Sequence, residues 1–150
     1  MPAAWAELEL ADPALAAFGR ERLEGRVAYH ATLRADGSPR VHPVSPWFAT
    51  GLLLVSCRAR SPKVAEFARD GRYALHSVQA AEDHEGQAGE FMVRGWMERV
   101  GPDHPAAVQY PYTPMDLAFF ACSVQEAVAT TYDGDTPVYA RWRGRRSRGA

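Results

Sequence analysis

The residues best equipped for chemistry lie together in residues 56–71, SCRARSPKVAEFARDG. Ser61 is a favoured helix N-cap and Pro62 suits the first helical position. Val64, Phe67 and Ala68 then recur at helical spacing until Gly71 stops the run. A helix start carries unpaired N–H groups and a partial positive charge, which favour an anion. Arg58, Arg60 and Lys63 add full charges beside it. The chain has sixteen arginines but one lysine, Lys63, and neither Ile nor Asn, a composition that points to GC-rich coding. A single lysine kept at such a place reads as an anion ligand; the competing reading is an ordinary capped helix beside a solvated basic loop.

Those side chains need elements to hold them. Asp12-Pro13 opens a first helix with Leu15, Phe18 and Leu23 on its apolar side, and Gly25 ends it. From residue 26 the period changes to two, and residues 26–33 and 40–44 flank the turn Ala35-Asp36-Gly37-Ser38 as a β-hairpin. The prolines at 39, 43 and 46 withhold backbone donors, so the second strand belongs at an edge. Residues 52–57 read as a buried strand, followed by the helix over 61–70 and strands over 72–79 and 90–100. A proline-rich connection spans 102–116 with room for one helical turn. A long strand over 117–132 that bends midway, the turn Asp133-Gly134 and a strand over 137–143 complete the chain. The sum is a mainly β chain: six or seven antiparallel strands in a small barrel with flanking helices.

At 150 residues and 47% hydrophobic content the chain fits one globular domain. Residues 1–25 form a helical N-terminal segment and residues 144–150 a flexible basic tail. No apolar run approaches the roughly 20 residues of a membrane span, and the acidic N-terminus lacks the basic start of a secretory signal. Cys57 and Cys122 have no metal or redox spacing and read as buried apolar residues in a reducing compartment. These features imply a cytoplasmic protein without membrane contact. The net charge of −1 gives no reason to expect nucleic acid.

The segments VAYHATL, ADGSPR, RVHPV, LLLVS, SPKVAEFARDGR, YALHSV and GEFMVRGWMERV, in that order, resemble the FMN-binding split β-barrel of the pyridoxamine 5′-phosphate oxidase-like family. The later FFACSVQEAVATTYDGD and VYARWR resemble its closing strands. The resemblance implies a homodimer with FMN at the subunit interface, and flavin-dependent oxidoreduction of a small molecule. Ser61 and Lys63 would hold the flavin phosphate, with Arg40 reaching it from the hairpin. Backbone groups of Val41, His42, Pro43 and Val44 would edge the isoalloxazine, Ser56 would touch it, and Trp142 could approach the ring. Many relatives carry a second basic residue just before the lysine. Pro62 and Ser61 stand there in this chain, so Arg40, Arg58 or Arg60 must supply that charge. Family members that oxidise pyridoxamine phosphate resemble one another in a C-terminal Arg-x-His segment. The ending YARWRGRRSRGA has no histidine, so that substrate is not expected. The resemblance also leaves open F420 or haem in place of FMN, and a carrier in place of an enzyme. No catalytic acid or base is nominated.

A two-residue tip at Asp36-Gly37 would set His30 opposite Pro43 and His42 opposite Ala31, on different faces, which argues against a shared metal site. His76 reads as structural. Glu82, Asp83, His84 and Glu85 read as a solvated acidic loop, so no metal is expected. The arginines at 141, 143, 145, 146 and 148 read as a solvated end.

Overall fold

Two helices, α1 (Trp5–Ala11) and α2 (Pro13–Leu23), precede the first strand where sequence patterning predicts one. In this computed structural model, whose described residues are 4–79, 88–112 and 116–145, Asp12 closes α1 and caps α2. Its side chain accepts the Leu15 N–H at 3.0 Å. α1 is too short to show a helical period, yet it buries Trp5 and Leu8. Trp5 meets Phe48 and Phe91 edge to face at 4.7 and 6.0 Å, which fastens the helix to the core.

Then follow β1 (Ala28–Leu33), β2 (Pro39–Val44), β3 (Trp47–Ala49), β4 (Leu52–Arg58), α3 (Pro62–Arg69), β5 (Arg72–Ser77) and β6 (Glu90–Val100). α4 (Pro105–Val108), β7 (Leu117–Cys122), β8 (Glu126–Asp133) and β9 (Thr136–Arg143) complete the order. Strand pairs are antiparallel in the order β2-β1-β5-β6-β7-β4-β3, with β8 joining β6 and β9. The expected mainly β, antiparallel architecture is present, with nine strands among the described residues rather than six or seven. One addition is β3, whose three residues are too few to show a period. The other arises because the long strand expected over 117–132 is two strands.

That break shapes the barrel. β6 pairs with β8 over residues 90–94 and with β7 over residues 97–100, while β5 occupies its other edge. At the changeover Ser123 donates its N–H to the Trp96 carbonyl at 2.8 Å, and its hydroxyl accepts the Trp96 N–H at 2.9 Å. The buried Tyr73 hydroxyl donates to the Ser123 carbonyl at 2.8 Å. A Cβ on Gly95 would stand 2.0 Å from that carbonyl oxygen, so only glycine lets the corner cross β6.

The β1–β2 hairpin corrects the expected register. Arg34 donates its N–H to the Ser38 carbonyl, and Gly37 sits at φ +81° between them. The loop therefore holds three residues, Ala35, Asp36 and Gly37, instead of a two-residue tip. An odd loop shifts the pairing by one, and one residue of shift exchanges the faces of a strand. Leu33 pairs with Pro39, and His30 lies directly opposite His42. On β1 the core side is Ala28, His30 and Thr32, while Val27 and Tyr29 stay half exposed.

Candidate functional site

A cleft of about 340 Å³ opens where β2, the end of β4 and the start of α3 converge. β2 pairs only with β1, so it is the expected edge strand, and it meets β4 here without pairing to it. The walls carry His42, Pro43, Val44, Ser56, Arg58, Ser61 and Lys63, all expected from the sequence, together with Val27, Ser45, Cys57 and Tyr110. Cys57 is a half-buried free thiol one position from two expected residues. Tyr110 arrives from the connection after α4, where nothing in the sequence marks it.

Four expected residues lie elsewhere. Arg40 makes a two-pronged ion pair with Glu66 of α3, Nε to Oε2 at 2.9 Å and the terminal nitrogen to Oε1 at 2.8 Å. Its side chain points from β2 to α3 because even-numbered residues of that strand turn inward, so it ties edge strand to helix instead of lining the cleft. Glu66 is buried, and the bond from Arg40 holds its carboxyl below the usual range. Val41 faces outward and is 65% exposed. Arg60 is 93% exposed along its side chain, 3.9 Å from Asp116. Trp142 packs half-buried against the barrel core and lines a separate groove with Glu7, Leu10 and Ala11.

The α3 start is a smaller donor than the sequence implies. Pro62 has no N–H, Ser61 Oγ accepts the Lys63 N–H at 3.3 Å, and Val64 N–H turns back to the Ser61 carbonyl at 3.1 Å. An anion here must be met mainly by side chains. Lys63 and Arg58 supply them: neither has a carboxylate partner among the described residues. The Ser56 and Ser61 hydroxyls stand beside them.

Behind the cleft wall, His30 Nδ1 and His42 Nε2 are 3.1 Å apart, one ring donating to the other. Burial, then the charges of Lys63 and Arg40, lowers the His42 pKa to about 4. Burial and the neighbouring His42 lower that of His30 to about 3. Both rings are neutral at pH 7. Their outer atoms, His42 Nδ1 and His30 Nε2, are buried without a partner, as is Thr32 Oγ1. His42 lines the cleft while both its ring nitrogens are enclosed. The expectation that the two histidines lie on opposite faces fails with the register that produced it. Among the described residues no three His, Cys, Asp or Glu side chains cluster. The acidic loop Glu82, Asp83, His84 and Glu85 lies outside the described residues. Burial also raises the Cys57 pKa, so its thiol stays protonated.

No protein-family model matches the chain, and no curated protein is significantly similar to it. Solved structures are. A heme-binding protein from Mycobacterium smegmatis superposes with a TM-score of 0.64 at 18% identity over 85% of this chain and 56% of its own. This chain thus spans little more than half of that protein. HutZ, the heme storage protein of Vibrio cholerae, gives 0.58 at 12% identity over 89% of this chain and 94% of its own. An F420 reductase gives 0.57 at 19% identity, over 72% of this chain and 94% of its own. The fold is the split β-barrel. At such identities the likeness carries fold alone. Among the described residues of this split barrel no helix is long and apolar enough to cross a membrane.

Proposed function

We propose that the chain is a flavin-binding split barrel that holds the FMN phosphate between Lys63, Arg58 and Ser61, with Ser56 toward the ring, and works as an oxidoreductase on a small molecule. The observation that carries this reading is the pair of cations without counter-charge, Lys63 and Arg58, in one cleft beside two hydroxyls. A phosphate dianion takes charge-assisted hydrogen bonds, each roughly twice as strong as a neutral one. The free edge of β2 at Pro43 and Val44 suits the rim of a planar heterocycle, since an edge strand keeps unpaired backbone groups. Bound there, FMN would supply hydride transfer at its ring. The chain's own part is to anchor phosphate with Lys63 and Arg58 and to hold the neutral His42 and Tyr110 rings against the cofactor.

The solved neighbours include heme-binding proteins and an F420 reductase, so three cofactors compete. Haem needs an axial ligand; the His42 nitrogens are enclosed and burial disfavours the Cys57 thiolate, which leaves Tyr110 as the donor this cleft would offer. F420 shares the phosphate chemistry. A homodimer with the cofactor between subunits belongs to this reading. Its support is the apolar surface beside the cleft, where Val27 and Tyr29 are each 50% exposed and Val41 is 65% exposed. A cytoplasmic setting fits the two free cysteines.

The test is reconstitution of the purified protein with FMN, F420 and haemin in turn, read by absorbance and by retention through gel filtration. Retention of FMN near one per chain, followed by its reduction with NAD(P)H, is expected. Retention of haemin alone, or of nothing, overturns the reading. Bound FMN that never turns over with any reductant reduces it to a carrier.

A further inference from the structure

Beyond Tyr110 lies a second and larger hollow, about 890 Å³, lined by the end of β6, by β7 and by residues between Gly101 and Tyr112. Tyr110 lines both spaces, so the hollow and the cleft share one wall. That wall is held firmly. The Tyr110 ring contacts Trp47 at 4.9 Å, Phe119 at 5.4 Å and Tyr112 at 5.4 Å, all edge to face. Its N–H donates to the Ala107 carbonyl at 3.0 Å. The volume falls in the range of about 300–1,000 Å³ typical of small-molecule sites.

Most of the lining is apolar or aromatic: Val100, Ala107, Tyr110, Leu117 and Phe119. Two side chains carry charge. Asp116 is turned toward Arg60, 3.9 Å away. Arg99, on β6 opposite Phe120, has no hydrogen bond or ion pair with any described residue. Arg99 is exposed, so its guanidinium stands at the open side of the hollow; without an internal partner it matches one planar carboxylate, which it can grip with two parallel N–H bonds. A phosphate dianion would find more charge in the cleft, where Lys63 and Arg58 stand together.

We propose that this hollow binds an amphipathic monoanion, a ring-sized apolar body bearing one carboxylate, with Arg99 receiving the carboxylate and Tyr110 and Phe119 packing on the body. The site stands on its own geometry; its role as the seat of the molecule to be reduced or oxidised rests on the cofactor reading above. With Tyr110 as the common wall, an occupant of the hollow lies next to an occupant of the cleft. This arrangement favours an apolar carboxylate as the reactant over a phosphorylated one.

The test uses 2-naphthoate and its neutral isostere 2-naphthamide as probes, titrated by calorimetry and by Trp47-sensitive fluorescence, with FMN binding measured on the same samples. Naphthoate is expected to bind at least tenfold more tightly than the amide. Arg99→Gln should erase that preference while leaving amide affinity within about twofold, and Arg99→Lys should keep part of it. Lys63→Ala should leave the preference intact. Equal affinity for both probes, no binding at millimolar concentration, or a preference that survives Arg99→Gln overturns the proposal. A naphthoate preference without FMN binding keeps the site and removes the cofactor reading. FMN binding without the preference does the reverse.

Discussion

Two parts of this barrel gather positive charge, and they treat it in opposite ways. On the sheet formed by β6, β8 and β9, Arg94, Arg141 and Arg143 surround a single buried carboxylate, Glu126, at 2.6, 3.3 and 3.3 Å. At the cleft, Arg58 and Lys63 line one space with no ion pair to a carboxylate among the described residues, and Glu66 of α3 is taken by Arg40. The first arrangement is finished within the chain. Its glutamate is held in the charged form chiefly by the bond from Arg94, and the cross-strand pairs that bring the four side chains together also build the sheet. The second has no such internal partner among the described residues, and in the proposed reading an external anion completes it. Charge content alone does not separate a structural cluster from a binding site; the presence or absence of the internal partner does.

The largest expected effect tests the finished cluster. Glu126→Gln leaves three guanidinium groups around a neutral amide, which should cost about 3 kcal/mol, the low end for breaking a buried pair because the arginines keep about half their hydration. For a chain of this size the Tm should fall by roughly 6–12 °C. FMN affinity should not change. A variant that kept its Tm and lost FMN would reverse the assignment of the two regions.

Next in size is Lys63→Ala. It removes one charge-assisted contact to phosphate and should weaken FMN binding by about 2 kcal/mol, or roughly 30-fold, in an equilibrium titration. Lys63→Arg should retain most of the affinity. The Tm of the unliganded protein should hold or rise, since Lys63 has no partner to lose and its field disfavours protonation of the two histidines. Equal FMN affinity in the alanine and arginine variants would remove Lys63 from the site.

The order of elements was legible in the sequence because each rests on local signals: caps at Asp12 and Ser61, alternation in β1 and β5, a hairpin signal at Asp133-Gly134. So were the cleft residues that those elements carry, from His42 to Lys63. What escaped depends on contacts distant in the chain. Nothing near Arg40 shows that Glu66, 26 residues later, takes it, and nothing near Tyr110 shows that it closes a cleft built from residues 27–63. The histidine pair was lost to a single residue in a turn, because loops of two and of three residues look alike in sequence while placing every side chain on opposite faces.

That pair gives the third prediction, set between the two charged regions. With folded pKa values of about 3 and 4 against roughly 6.5 unfolded, His30 and His42 bind protons in the unfolded chain before they do in the folded one. Stability is then full above about pH 6.5 and falls with decreasing pH, by about 1.4 kcal/mol per pH unit for each ring, until the folded values are reached. Glu66 and Glu126, whose pKa values are lowered, add their loss only below their unfolded value near 4.5. Urea unfolding between pH 6.5 and 5 therefore isolates the histidines. His30→Phe should roughly halve the slope in that window, whereas Glu126→Gln should leave it unchanged.

The smallest effect is the one that separates neighbouring arginines. Arg58 and Arg60 are two residues apart and both exposed, but Arg58, at the end of β4, lines the cleft, while Arg60, in the turn after it, does not. A cation that is 93% exposed contributes little through a high dielectric, and its 3.9 Å approach to Asp116 is a surface contact of the weakest kind. Arg60→Gln should therefore change FMN affinity and stability by less than about 0.5 kcal/mol. Arg58→Gln should weaken FMN by about 1 kcal/mol, roughly fivefold, and should flatten the salt dependence of binding, since one of the two cations facing the phosphate is gone. If both variants bind FMN alike, the cleft's second charge is not Arg58. The phosphate must then draw Arg40 away from Glu66, a rearrangement that would show as lost stability in the FMN-free Glu66→Gln variant and gained FMN affinity in the same protein.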